Sequence, residues 1–165
     1  LRDGLEQFEQ LFGYRSESFI ATTYTWHPSI EKHLKEYGVR YLQGLVTQKI
    51  PHGDDCNIEY RKRNFQGCRS GDGLIYLMRN AFFEPSQYNS SDTVGECISR
   101  IKQAFRWGKA AVICAHRLNF IGSIDSTNTD RNLPMFKELL QCIVKRWPDV
   151  EFMSSDELGR IIEQS

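Results

Sequence analysis

The sequence predicts an α/β protein built from parallel β/α units. Three observations carry that expectation. Short apolar runs (SFIA, VRYLQ, LIYLM, AAVICA, VEFM) alternate with stretches of helical period along the 165 residues. Each run is too short to be a helix of its own. Strand–helix alternation then forces parallel pairing, because a chain returning through a helix re-enters the sheet in its original direction. The finer choice lies between an open doubly wound sheet and a distorted (β/α) barrel or its C-terminal part.

The first helix covers about residues 1–12, with Leu1, Leu5, Phe8 and Phe12 on one face and Gly13 as its stop. That period is already running at Leu1, so residues are expected upstream. The chain is then either a single α/β domain over 1–165 or the C-terminal portion of a larger one. A strand at 18–21 (SFIA) leads through TTYTW to a helix over about 28–37. Pro28 suits its first turn, Ile30, Leu34 and Tyr37 keep the period, and Gly38 suits the C′ position. VRYLQ (39–43) is the next strand.

Over 44–73 the pattern dissolves into Gly, Asp, Arg and Asn, and a connection of that length is rarely idle. A short hairpin is expected around Ile58–Tyr60. Regularity returns with LIYLM (74–78), ending at Arg79, and a helix over 93–106 with Val94, Cys97, Ile98, Ile101 and Phe105 on one face. AAVICA (110–115) reads as a strand buried on both faces. A helix over 132–147 places Phe136, Leu139, Leu140, Ile143 and Trp147 in register, and Pro148 closes it. VEFM (150–153) is the last strand. The final helix opens on a capping box, Ser154 with Glu157.

Twenty-one basic and twenty-one acidic side chains cancel, which argues against a binder that works by neutralising phosphates. Hydrophobic residues at 40% supply a core, and no apolar run is long enough to span a membrane. Neither a Gly-rich phosphate loop nor a G-x-S-x-G elbow occurs. The five cysteines form no Cys-x-x-Cys pair. Cys97, Cys114 and Cys142 fall on core-facing positions, while Cys56 and Cys68 share one loop-rich region and could pair.

In parallel α/β folds, ligands bind at the C-terminal ends of the strands. Polar and aromatic residues collect there: Tyr24 and Trp26 after SFIA, Arg79 and Asn80 with nearby Phe82, Phe83 and Glu84 after LIYLM, and His116, Arg117 and Asn119 after AAVICA. Aromatic faces mixed with hydrogen-bonding groups suit a sugar. His116 is the candidate catalytic residue, since a strand built for a dry core delivers it to the ligand face. Tyr24, Trp26, Arg79, Arg117 and Asn119 are the candidate substrate-binding residues, although Tyr24 and Trp26 could equally pack over a sheet end. His27 precedes Pro28 as a helix cap, His33 stands among solvated charges, and Ser154, Ser155 and Asp156 are accounted for by capping. His52, Asp54, Asp55 and Cys56 carry metal-capable atoms at a spacing that matches no strong ligand motif, so no metal ligand is assigned within the chain.

Three stretches carry a family resemblance. SFIATTYTWHPSIEKHLKEYGVRYLQG resembles the polysaccharide deacetylase segment in which a strand ends in an active-site loop and a helix leads to the next strand. AAVICAHRLNF resembles the later strand that ends on that family's histidine, and KRWPDVEFMSSDELGRII its closing strand and helix. The resemblance implies the C-terminal half of a barrel of the glycoside hydrolase/deacetylase superfamily, in a bacterial, exported or periplasmic setting. It implies metal-dependent removal of acetyl groups from a polysaccharide or oligosaccharide, with His116 as general acid and Tyr24 lining the pocket and offering its N–H to an oxyanion. The family's paired aspartates and His-x-x-x-His ligands have no counterpart here. Zinc or a similar divalent metal would therefore belong to the complete domain, on ligands outside this chain. The implied partners are the acetylated glycan, a missing N-terminal segment or a second copy, and no nucleic acid. The alternative is a metal-free relative that binds glycans without hydrolysing them, relying on Trp26 and Tyr24.

Overall fold

Five α-helices and a small parallel sheet form among the residues that a computed structural model describes, 1–52, 57–87, 92–123 and 126–165. The chain is mixed α/β, as its alternating pattern predicts. Its elements begin with α1 (Arg2–Phe12), β1 (Ser18–Ile20), α2 (Ser29–Glu36), β2 (Tyr41–Gly44), β3 (Thr47–His52), β4 (Asn57–Arg63) and β5 (Ile75–Met78). They continue with β6 (Ala81–Phe82), α3 (Thr93–Arg106), β7 (Ile113–Cys114), α4 (Thr127–Arg146) and α5 (Ser155–Gln164). Two compact units result, Leu1–Met78 with Met153–Ser165, and Arg79–Phe152.

In the first unit, β1, β2 and β5 form a parallel sheet with β2 in the middle. Alternation along the strands sorts their side chains onto two covered faces. Leu42, Tyr76 and Met78 join Leu5 of α1, Leu34 of α2 and Val39 in one cluster. Tyr41, Ile75 and Leu77 form the other, under Leu158 and Ile162 of α5. The irregular stretch 44–73 contains a longer hairpin than its composition suggests. Strands β3 and β4 pair antiparallel from Thr47↔Arg63 to His52↔Asn57, so the expected pairing around Ile58–Tyr60 is its central part.

The capping box at α5 is present. Glu157 Oε2 accepts the Ser154 N–H at 2.7 Å and the Ser154 hydroxyl at 2.8 Å, while Ser154 Oγ accepts the Glu157 N–H at 3.3 Å. The Ser154 backbone N–H, then its hydroxyl, hold the Glu157 carboxyl below the usual range. A carboxyl lowered by folding adds stability above its unfolded pKa and loses it as pH falls through the folded value. Urea unfolding of the chain is therefore expected to become easier as pH drops below about 4, and Glu157→Gln should flatten that dependence. Equal pH slopes for parent and variant would refute this.

In the second unit, β6 and β7 pair in parallel. Ala81 and Phe83 pack with Val94, Cys97, Ile98 and Ile101 of α3 and with Leu139 and Ile143 of α4. Burial pushes the Cys97 thiol up to about 11, in keeping with a cysteine that packs as a small hydrophobe. Three expectations need correction. AAVICA is a strand only at Ile113–Cys114, and Ala110 to Ile113 are half-buried. Ahead of it the Asn80 side chain stands in for a ladder, donating to the Ala110 carbonyl at 3.0 Å and accepting the Val112 N–H at 2.7 Å. VEFM forms no strand: residues 151–153 are exposed, and among the described residues none pairs with them in a ladder. Helix α4 begins at Thr127 rather than 132, through polar turns that have no apolar period to announce them.

Cys56, Asp54 and Asp55 lie outside the described residues, and so does any pairing of Cys56 with Cys68. Among the described residues no helix is long and apolar enough to cross a membrane.

Candidate active site

Strand register builds this site. Ala81 pairs with Ile113 and Phe82 with Cys114, and the Phe83 N–H continues the ladder to the Cys114 carbonyl at 2.8 Å. Extending that register by two residues sets Glu84 beside His116, at the C-terminal ends of adjacent parallel strands. Alternation then turns Glu84 to the side of Phe82 and His116 to the side of Cys114, which is one face.

The two side chains meet at 2.5 Å, His116 Nδ1 to Glu84 Oε1. Glu84 is 2% exposed and the His116 side chain 51%, so a buried carboxylate holds a ring that reaches solvent. Glu84 Oε2 accepts the Asn119 Nδ2–H at 2.7 Å and, at 3.4 Å, the His116 backbone N–H. A buried carboxylate needs such donors, because desolvating it without them costs several kcal/mol, roughly. The arrangement also fixes the imidazole. An acceptor facing Nδ1 keeps the proton on that nitrogen and leaves Nε2 as the exchangeable position. A carboxylate–imidazole pairing of this kind can orient a ring for proton transfer.

The other expected site residues are placed as follows. Arg117 is exposed at the start of a 3-10 turn over Arg117–Phe120. Asn119, in the same turn, is 1% exposed and spends its amide beneath Glu84, on Oε2 and on the His116 carbonyl at 2.9 Å. Arg79 is half-buried. In the first unit, Trp26 is buried, its indole N–H donating to Glu31 Oε1 at 2.9 Å, and the Tyr76 hydroxyl reaches the same oxygen at 3.2 Å. Tyr24 is half-buried against the same core. Thr23 and Tyr24 adopt positive φ values of 52° and 57°, a left-handed backbone that costs non-glycine residues about 1–2 kcal/mol each. The Tyr24 N–H donates to the Ala21 carbonyl at 3.0 Å within that turn, so this donor is used locally rather than offered to an oxyanion. His27 lends Nδ1 to the Ser29 N–H at 3.2 Å at the start of α2, and His33 faces Glu36 in solvent.

Glu84, Cys114 and His116 also bring three metal-capable atoms within 4.8 Å of one another. The donor pattern does not favour a cation there. Both Glu84 oxygens already accept hydrogen bonds of 2.5 and 2.7 Å, and Cys114 Sγ stands 3.8 Å from Oε1. A metal would have to displace the charge-assisted contacts that satisfy the carboxylate. These residues suit a proton-carrying dyad, and the metal implied by the family resemblance finds no fitting ligand set among them.

Glu84, the partner of His116, stands among the strand-end residues without a role that the sequence assigns to it. The available signal was its position: two residues past an apolar pair, as His116 stands two residues past Ile113–Cys114. No family model, curated protein or solved structure matches the chain.

Proposed function

We propose that this chain carries the acid–base half of a carbohydrate deacetylase-type hydrolase, with His116 as the catalytic acid. The observation that supports the reading is the Glu84–His116 pair, a buried carboxylate bonded to Nδ1 of a half-exposed imidazole at a strand end. In fold terms the reading takes the parallel β/α units as the C-terminal part of a distorted (β/α) barrel. It draws on the resemblance of the AAVICAHRLNF and TTYTW segments to polysaccharide deacetylases.

Hydrolysis of an acetamide or acetate ester ends with departure of an amine or alkoxide, which is a poor leaving group unless protonated as the bond breaks. An imidazolium held at Nδ1 by Glu84 donates from Nε2, and the carboxylate stabilises the cation until transfer. Arg117, exposed next to His116, suits contact with substrate oxygens. Asn119 serves from beneath the carboxylate. Zinc or a similar divalent cation, which the resemblance places on ligands outside this chain, would supply carbonyl polarisation if bound.

The test is acetate release from an acetylated glycan, with zinc added, by the chain extended upstream along its natural reading frame. His116→Ala is expected to lower the rate by about 10²–10⁴-fold, the usual worth of a positioned acid. Full activity in that variant would remove His116 from the chemistry. No release by the parent, with glycan binding intact, would turn the reading to the metal-free glycan binder.

A further inference from the structure

We infer that Asn132, three contacts away from the exposed ring, is a positioning residue for His116. The inference rests on the acid role proposed for His116 but is argued from the second unit's own hydrogen bonds. Asn132 is fully buried, at 0% exposure, on the first turns of α4. Its Nδ2 donates to two acceptors, the Ser86 hydroxyl and the Asn119 carbonyl, each at 2.8 Å. Its Oδ1 accepts from Arg131 Nε at 3.0 Å.

Those two acceptors belong to different segments. Ser86 follows Glu84 out of β6, and Asn119 follows His116 out of β7. Asn132 thus clasps together the two loops that carry the dyad. The clasp is closed a second time, because the Ser86 N–H donates to Asn119 Oδ1 at 3.0 Å. With Oδ1 held there, the Asn119 amide can turn only Nδ2 toward Glu84. The order of contacts is Asn132 to Asn119 to Glu84 to His116.

Neighbours on α4 reinforce the same two loops. Arg131 Nη2 donates to the Pro85 carbonyl at 3.1 Å, and the Thr129 hydroxyl to the Phe120 carbonyl at 3.0 Å. A helix face turned to a protein interior ordinarily carries apolar side chains. Asn132 interrupts such a stripe, standing ahead of Met135, Phe136 and Leu139 as a buried amide whose Nδ2 partners both belong to the loops around the dyad. A fully satisfied buried polar network specifies one arrangement, since any shift leaves a desolvated donor or acceptor unpaired. That rigidity is what a dyad with a 2.5 Å contact requires.

The experiment is ¹⁵N and ¹H NMR of the ¹⁵N-histidine-labelled chain, alongside kinetics of the extended chain. The parent is expected to show His116 with its proton on Nδ1 and a low-field, slowly exchanging Nδ1–H resonance. Asn132→Asp keeps the shape but sets an oxygen against the Asn119 carbonyl. In that variant the resonance should broaden or vanish and the ring nitrogens should report mixed tautomers. The kcat should fall about tenfold or more with KM little changed, as for other outer-shell partners. A folded Asn132→Asp variant that loses thermal stability yet keeps the resonance and tautomer would overturn the inference and leave Asn132 a structural residue. If that variant does not fold, Arg131→Ala decides, because Arg131 is exposed while its Nε anchors Asn132 Oδ1. A weakened Nδ1–H signal there supports the clasp, and an unchanged one overturns it. Failure of the deacetylase reading is separate: it would leave the parent without acetate release while the tautomer still responded to position 132.

Discussion

Glu84→Gln is expected to swap the proton on His116 from Nδ1 to Nε2 and to lower the activity of the extended chain by about 10²–10⁴-fold. The substitution keeps the shape of the side chain but replaces one carboxylate oxygen with an NH₂ group. That NH₂ must face either Asn119 Nδ2 or His116 Nδ1, the partners of the two Glu84 oxygens. Asn119 cannot turn to meet it. Its Nδ2 also serves the His116 carbonyl, and its Oδ1 is held by the Ser86 N–H. The amide therefore presents its donor to Nδ1, which becomes an acceptor, and the ring protonates at Nε2 instead. A doubly protonated ring, the form an acid needs, would then set donor against donor. The ¹⁵N shifts of the labelled ring read the swap directly, and acetate release reads its consequence. A variant with the parental tautomer would show that Glu84 does not set the ring.

Gly159→Ala is expected to destabilise the first unit by about 1–3 kcal/mol, against the general rule that alanine improves a helix. A Cβ at this position would stand 2.5–2.6 Å from three carbons of the Tyr41 ring, inside any real contact distance. The ring has nowhere to go. Tyr41 is fully buried on the central strand β2, with β1 and β5 paired on either side. Its hydroxyl contacts Glu163 Oε2 at 3.4 Å, one turn beyond Gly159 on the same helix. Glu163 is itself paired with Arg40, whose guanidinium lies over the ring at 5.5 Å. Helix propensity returns at most about 1 kcal/mol, so overpacking wins. Urea unfolding measures the loss, and pairing Gly159→Ala with Tyr41→Val should recover part of it in a double-mutant cycle. A stabilised single variant would mean that α5 lies farther from β2 than the ring contact indicates.

Such contacts mark where local reading ends. The 3.6 period identifies α3 over Thr93–Arg106 to the residue, and the Ser154–Glu157 spacing identifies the start of α5. Both depend on residues within a turn or two of each other. The apolar runs at β1, β2 and β5 are legible for the same reason, although the sheet drops one end residue of SFIA and of LIYLM and shifts VRYLQ to Tyr41–Gly44. VEFM has the same composition as a strand and is not one, because a strand also needs a neighbour to bond.

His116 was legible as a strand-end residue; its partner was not. Glu84 lies thirty-two residues earlier, and only the parallel register of β6 and β7 puts the two side by side. Trp26 shows the opposite case, an aromatic in a loop that reads as a sugar platform but buries its ring and gives its N–H to Glu31. Asn132 falls on the core-facing stripe of α4, three, four and seven residues before Met135, Phe136 and Leu139, but the helical period says only that the position is buried and not which loops its amide will bond. By itself the sequence determined the helices, the capping and the alternation that makes the chain α/β, because those follow from the period of apolar residues and from bonds within one turn. The tertiary structure alone decided which polar groups are buried together, because a desolvated carboxylate or amide is stable only where distant segments bring it the donors it lacks.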